Sequence, residues 1–167
     1  MVSIQGVALF GILIIILLLV YAATCIRIVP QAKAYVIEML GKYRTTWYAG
    51  FHAKFPFIER IAHVVNLTEQ VVNVKSQAVI TKDNVKMNVD LAVFFQIMDP
   101  FKATYGIQNP VLKIEELTLA TLNDVFSRME RDKALTSSDL INTKMCSVLN
   151  KTTEPLGIKV TRVEINE

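Results

Sequence analysis

From Val7 to Ala23 the chain reads VALFGILIIILLLVYAA, apolar on every side, within an uncharged run that reaches from the N-terminus to Ile26. As an α-helix rising about 1.5 Å per residue, Val2 to Ile26 measures roughly 37 Å, enough to cross a hydrocarbon core of about 30 Å. A soluble helix keeps a polar face toward water, and this one has none. The stretch therefore reads as a membrane anchor over residues 1–26, its course marked by Val7, Ile14, Leu18 and Ala23. A cleaved signal peptide needs basic residues ahead of its apolar core, and no Lys or Arg precedes Arg27. Arg27, Lys33, Lys42 and Arg44 follow closely, and basic flanks stay on the cytoplasmic side. The expectation is a single-pass protein of the cell membrane with its C-terminal bulk in the cytoplasm.

All 18 Lys/Arg and all 15 Asp/Glu lie beyond this stretch, a net charge of +3. No run of five basic residues occurs, which speaks against a nucleic-acid partner. The two cysteines, Cys25 and Cys146, are too far apart in sequence to form a local metal-ligand or redox pair. The juxtamembrane position of Cys25 suits S-palmitoylation, but a small residue at a helix end is the simpler reading.

Ile28-Val29-Pro30 is expected to break the helix, since proline lacks an N–H and restricts the residue before it. Ala34 to Leu40 has strand content, and Gly41-Lys42 supplies a turn. Next comes an aromatic-dense span, Tyr43, Trp47, Tyr48, Phe51, Phe55 and Phe57, with Arg44, His52 and Lys54 interleaved. Amphipathic rings with basic neighbours suit a membrane–water interface; the same rings also suit the core of a small subdomain, and both readings stay open. On the first, Trp47, Tyr48, Phe51, Phe55, Phe57 and Ile58 touch lipid, and Phe55-Pro56-Phe57-Ile58 is a stiff apolar loop.

Ile61 to Leu67 and Val71 to Val74 read as further strands. The strongest signal after the anchor is the alternation of Val85, Met87, Val89, Leu91, Val93, Phe95 and Ile97 with Lys86, Asn88, Asp90 and Gln96, a half-buried strand. Ala78-Val79-Ile80 precedes it across Thr81-Lys82-Asp83-Asn84, which predicts an antiparallel hairpin. Asp99-Pro100 ends the strand. Asn109-Pro110 then supplies an N-cap and a first-turn proline for a helix to about Met129, with Val111, Ile114, Leu117, Thr121, Val125 and Met129 on one stripe. A second helix starts at Ser137 or Ser138, carries Ile141, Met145, Val148 and Leu149, and stops at Pro155 and Gly157. Ile158 to Ile165 is a last strand whose alternation changes phase between Val160 and Val163, the mark of a bulge or of a strand covered on both faces.

No phosphate-binding glycine loop, CxxC pair, HExxH or GxSxG is present, which counts against an enzyme. Asp83, Asp90 and Asp99, Glu115-Glu116 and Glu130-Arg131-Asp132-Lys133 read as solvated charges. Ser127, Ser137 and Ser138 have no identifiable base. His52 and His63 belong to no catalytic constellation, and no cofactor or metal is implied.

The ordered segments resemble those of the SPFH, or band 7, family of stomatins, prohibitins and flotillins, most of all its bacterial QmcA and stomatin-like (paraslipin) branch. The resemblance is carried by Ile28-Val29-Pro30-Gln31 after a membrane segment, Leu40-Gly41-Lys42-Tyr43, Gly50-Phe51-His52, Phe55-Pro56-Phe57-Ile58-Glu59-Arg60 and Thr81-Lys82-Asp83-Asn84-Val85. Val89-Asp90, Asp99-Pro100, Tyr105-Gly106, Glu154 to Val160 and Val163-Glu164-Ile165 continue it in family order. Departures are Ala49-Gly50 for a Pro-Gly, Leu156-Gly157 for a Trp-Gly, and Asn123 for an Arg.

The resemblance implies an α+β fold: a single transmembrane helix, then a two-lobed domain of mainly antiparallel sheet and two helices. The membrane-proximal lobe would span 27–75 and the second 76–167; the chain stops at Glu167, where the family usually begins a coiled-coil helix. It further implies a scaffold, not an enzyme, whose partners are membrane lipids, copies of itself in a large homo-oligomeric ring or cage, and membrane proteases or other integral clients. A regulatory binding subunit of one protease or transporter in a small complex is the alternative.

Overall fold

The computed structural model of the chain describes residues 4–55, 57–130 and 138–166. The fold is α+β with antiparallel sheets, and the chain divides into two compact units, Met1–Val64 and Val65–Glu167. The boundary placed by sequence at 75/76 lies within a single strand of the second unit.

The first unit opens with α1 (Ile4–Cys25), 22 residues without a charge. Its large side chains from Leu9 to Tyr21 are exposed. Continuously described side chains begin at Leu9, and among the described residues no helix is long and apolar enough to cross a membrane. The spanning anchor expected over 1–26 is thus not a finding of the structure. Nor does Pro30 end the helix. Ile26, Ile28 and Val29 are β-branched and stiff at χ1, and with Arg27 they form strand β1 (Ile26–Val29) directly after Cys25. The freed Cys25 carbonyl accepts a hydrogen bond from Lys54 N at 2.8 Å.

Strands β2 (Lys33–Met39) and β3 (Lys42–Trp47) form a hairpin closed by Leu40 and Gly41, both at positive φ (51° and 83°), the two-residue turn whose twist matches the strands. The aromatic-dense span therefore carries two strands the sequence pattern does not announce, β3 and β4 (Gly50–Ala53). β4 pairs antiparallel with β1, while β2 lies between β3 and β5 (Glu59–Asn66). Val29, Ile37 and Trp47 form a small core with Tyr35 and Ile61 against it.

In the second unit β7 (Lys86–Ile97) runs between β6 (Gln70–Ile80) and β8 (Ile158–Asn166), antiparallel to both. The alternation predicted for β7 is seen: Val89, Leu91, Val93, Phe95 and Ile97 are buried on one face. Each neighbour shifts register once against it. In β6 the shift falls between Val74 and Gln77, so the two apolar runs read separately from sequence are one strand with both parts facing the core. In β8 Phe94 pairs with Arg162 and Phe95 with Val160, leaving Thr161 as the extra residue, the bulge that was one of the two readings of the phase change.

Asp99 ends the sheet and caps α2 (Pro100–Tyr105), a short helix not foreseen, by accepting from Phe101 N and Lys102 N. Asn109 caps α3 (Pro110–Ser127) in the same way, as expected. The buried face of α3 is Ile114, Thr118, Leu122, Val125 and Phe126; Val111 is exposed and Thr121 only half-buried, so the predicted stripe is turned partly off the true one. Helix α4 (Ser138–Thr153) buries Ile141, Met145 and Leu149; the alternative start at Ser137 lies outside the described residues. A 3-10 turn, Glu154–Leu156, and Gly157 at φ 74° return the chain to β8. Asn150 of α4 holds both sides of the β8 backbone at Val160, accepting from its N–H at 2.7 Å and donating to its carbonyl at 2.8 Å.

Candidate functional site

In the two-stranded ribbon of β1 and β4, Ile26 pairs with Ala53, Arg27 with His52, Ile28 with Phe51 and Val29 with Gly50. Side chains of a strand alternate between faces, so Ile26, Ile28, Phe51 and Ala53 share one side. That side is open: Ile28 is 63% exposed and Phe51 79%. The other side packs inward. Val29 is buried, and the His52 ring stacks on Trp47 with centroids 4.9 Å apart and planes at 8°. His52 Nε2 donates to the Tyr48 carbonyl at 2.8 Å, so the ring is engaged in both packing and hydrogen bonding.

The loop after β4 extends the apolar surface. Phe55, Phe57 and Ile58 are exposed, Phe57 to 87%, and the hairpin tip Leu40 to 80%. The loop is pinned from beneath: Glu59 is buried, accepts from Phe55 N at 3.1 Å and pairs with Arg44. Phe55 O accepts from Ile58 N and Glu59 N, and Leu40 N donates to Ile58 O, tying the hairpin tip to the loop. Phe57 stacks on Tyr21 of α1 with centroids 6.1 Å apart, so the loop lies alongside the last turns of the apolar helix.

Of the residues predicted to touch lipid, Tyr48, Phe51, Phe55, Phe57 and Ile58 are exposed. Trp47 is 7% exposed and belongs to the core, because its position in β3 points it to the same side as Val29 and Ile37. Along α1, Ile14, Leu18 and Ala23 are exposed; of the Val7 side chain nothing is described. Ile26, Ile28 and Leu40 complete the surface and were not among the lipid contacts expected from sequence, although Ile26-Arg27-Ile28 already alternates at the end of the uncharged run. An apolar surface this continuous on a small unit marks contact with a membrane or another protein.

Among the described residues no group of three or more His, Cys, Asp or Glu is placed to hold a metal. In the second unit a cavity of about 510 Å³ lies between Met98–Lys102 and Asn150–Lys159. Its Asp99 side chain is used in capping α2, and Ser127 Oγ, elsewhere, only donates to Asp124 O.

Fold and surface together define a two-unit α+β protein that follows an apolar helix and presents an apolar outer face on its first unit. The chain belongs to the SPFH domain / Band 7 family, whose pattern matches residues 27–167. It is 31% identical over 144 residues to stomatin-like protein 2, mitochondrial, of Homo sapiens, covering 86% of this chain and 40% of that one. An uncharacterized protein of Mycobacterium tuberculosis is 38% identical over 163 residues (98% of this chain, 42% of the relative), and one of Methanothermobacter thermautotrophicus 39% over 153 (92% and 48%). The chain thus spans less than half the length of these relatives.

Proposed function

We propose that this protein is a single-pass membrane scaffold whose first unit lies against the bilayer and whose copies associate laterally, organising a membrane patch and its client proteins. The observation that carries the reading is the continuity of apolar surface from α1 through Ile26 and Ile28 to Phe51, Phe55 and Phe57, with Phe57 stacked on Tyr21 of α1 itself. The uncharged sequence from Val2 to Ile26 supports it too: at about 1.5 Å per residue, a helix over that run would reach roughly 37 Å against a hydrocarbon core of about 30 Å. With α1 inserted, the exposed rings of the loop lie at headgroup depth, where aromatic side chains are favoured.

Lateral association is supported by the family and by confinement. Anchored copies share a plane, and weak contacts between them gain effective concentration. The basic residues Arg27, Lys33, Lys42 and Arg44 orient the folded part toward the cytoplasm. Within the family, the segments from Ile28 to Ile165 favour the bacterial QmcA and stomatin-like (paraslipin) branch.

The test is particle mass of the full chain in mild detergent across a range of concentrations. Large homo-oligomers are expected. A monomer at every concentration overturns self-assembly, and a small complex with one stoichiometric membrane protein supports a regulatory subunit instead. Resistance to alkaline extraction from membranes is expected of the anchor, and release by that treatment overturns it.

A further inference from the structure

Asparagine recurs on one row of α4. Asn142, Cys146 and Asn150 are spaced by four residues, which sets them one above another on the helix, and all three line a crevice of about 390 Å³ between α4 and β8. At one end Asn150 grips the strand: its carboxamide accepts from Val160 N and donates to Val160 O, a two-bond hold on a single peptide residue. Cys146, half-buried, donates its thiol weakly to the Val160 and Thr161 carbonyls at 3.7 and 3.8 Å.

At the other end the same group has nothing to hold. Asn142 Oδ1 is buried and accepts no hydrogen bond. The strand supplies the reason: Thr161 is the extra residue of the β8 bulge, a bulge bends the strand that carries it, and past that point no β8 N–H reaches the amide. A buried carbonyl without a donor is destabilising, so its presence calls for a donor from elsewhere. Of the three such atoms among the described residues, Thr118 Oγ1, Asn142 Oδ1 and Thr153 Oγ1, only that of Asn142 belongs to the crevice wall.

The rest of the lining sets the chemistry of that donor. Thr143, Ser147 and Thr161 contribute neutral hydroxyls, and Arg162, the one charged residue of the wall, is held over the Phe94 ring at 4.0 Å and paired with Glu164 at 3.0 Å. A charged ligand finds no free counter-charge there, whereas a peptide group finds what Val160 finds at Asn150. We propose that the crevice binds an extended peptide segment of a different protein, one residue of which donates its N–H to Asn142 Oδ1 and accepts from Asn142 Nδ2. Every described strand of this chain already lies in a sheet, so a folded second copy has no spare strand to lend. The site stands on the second unit alone and does not rest on the membrane-facing surface of the first.

Cys146 reports on the crevice, and Cys25, in the first unit, serves as the internal standard. The full chain in mild detergent is equilibrated with the symmetric disulfide of N-acetyl-alanyl-cysteamine, or with the analogue in which an ester oxygen replaces the alanine N–H, over a series of 2-mercaptoethanol concentrations. Each protein thiol attacks the reagent, forms a mixed disulfide and releases one cysteamine thiol, and digestion with mass spectrometry reads the adduct at each cysteine. At Cys146 the alanine reagent is expected to survive about fivefold more reductant than the ester, the gain of one hydrogen bond, while at Cys25 the two should be equal. Asn142→Leu is expected to bring the ratio at Cys146 to about one, and to leave the particle mass of the full chain in mild detergent unchanged.

Equal survival of the two reagents at Cys146 overturns the inference and leaves a crevice for water alone. A preference of the same size at Cys25, or one that persists in Asn142→Leu, overturns it as well. So does the absence of any adduct at Cys146, which would show a crevice closed to a peptide. A fall in particle mass with Asn142→Leu overturns the assignment to a different protein in favour of a second copy. The two reagents are compared on the unaltered chain, so that result holds whether or not Asn142→Leu folds.

Discussion

The two units solve opposite problems with similar materials. The second closes on itself: β7 buries Val93 and Phe95, α3 packs on β6 and α4 on β8 with Ile114, Leu122, Phe126, Met145 and Leu149 fully buried, and the sheet is adjusted by a bulge in each flanking strand. The first has a core of a few residues around Trp47 and leaves a comparable set of large side chains, Ile28, Leu40, Phe51 and Phe57, in the open. Folding by burial explains the second unit. For the first it explains one face only, and the other makes physical sense when something apolar lies against it.

Substitutions can break or sharpen this contrast. The largest losses belong to the two cores: Phe95→Ala in the second unit and Trp47→Ala in the first should each cost about 3–5 kcal/mol, read as a fall in the denaturant midpoint of the full chain in mild detergent. Gly157→Ala should cost about 1–3 kcal/mol in the same measurement. Its added methyl would sit 2.7 Å from Asp99 Cβ and 2.8 Å from Asp99 O, at a φ of 74°.

Asn109→Ala removes the side chain that accepts from Val111 N and Leu112 N at the start of α3, a loss of about 1 kcal/mol. The smallest effect on stability is the one that decides the comparison. Ile28→Ser and Phe51→Ser should each change stability by no more than about 0.5 kcal/mol in detergent, while reducing the quenching by brominated phosphatidylcholine of a loop tryptophan introduced by Phe57→Trp in a Trp47→Phe background. If Phe51→Ser costs as much as Trp47→Ala, the outer face is part of a core and the contrast between the units collapses.

What could be read from sequence follows the same division. The period of two in β7, the hairpin at Thr81 to Asn84, the cap at Asn109 and the bulge near Thr161 were legible because each is a local rule acting on a face that must be buried. β3 and β4 were hidden because they are only six and four residues long: β3 carries polar Arg44, Thr45 and Thr46 in succession, and the apolar–polar alternation of Phe51-His52-Ala53-Lys54 is too short to stand out from the aromatic span around it. Within that span the exposed rings could not be told from the buried one. Trp47 is drawn inward by partners distant in sequence, Ile37 and Val29, whereas Phe51 is turned outward by its pairing with Ile28. α2 is six residues long, too short for a period to show, and the stripe of α3 was misjudged because Leu122 and Phe126 lie one position from the Thr121 and Val125 row.

The junction at Cys25 and Ile26 fixes which way the β1–β4 ribbon faces around α1. Helix passes into strand without a connecting loop, and Lys54 N bonds the last helical carbonyl, so α1 and the β1–β4 ribbon are joined as a shaft is joined to a blade. Each residue of an α-helix turns the axis by about 100°. One alanine inserted after Ala23 would therefore swing the Ile28 and Phe51 face about 100° around the helix, and seven would bring it nearly back into phase. The direction in which the β1–β4 ribbon faces around α1 is thus set by the count of residues in an otherwise featureless apolar helix.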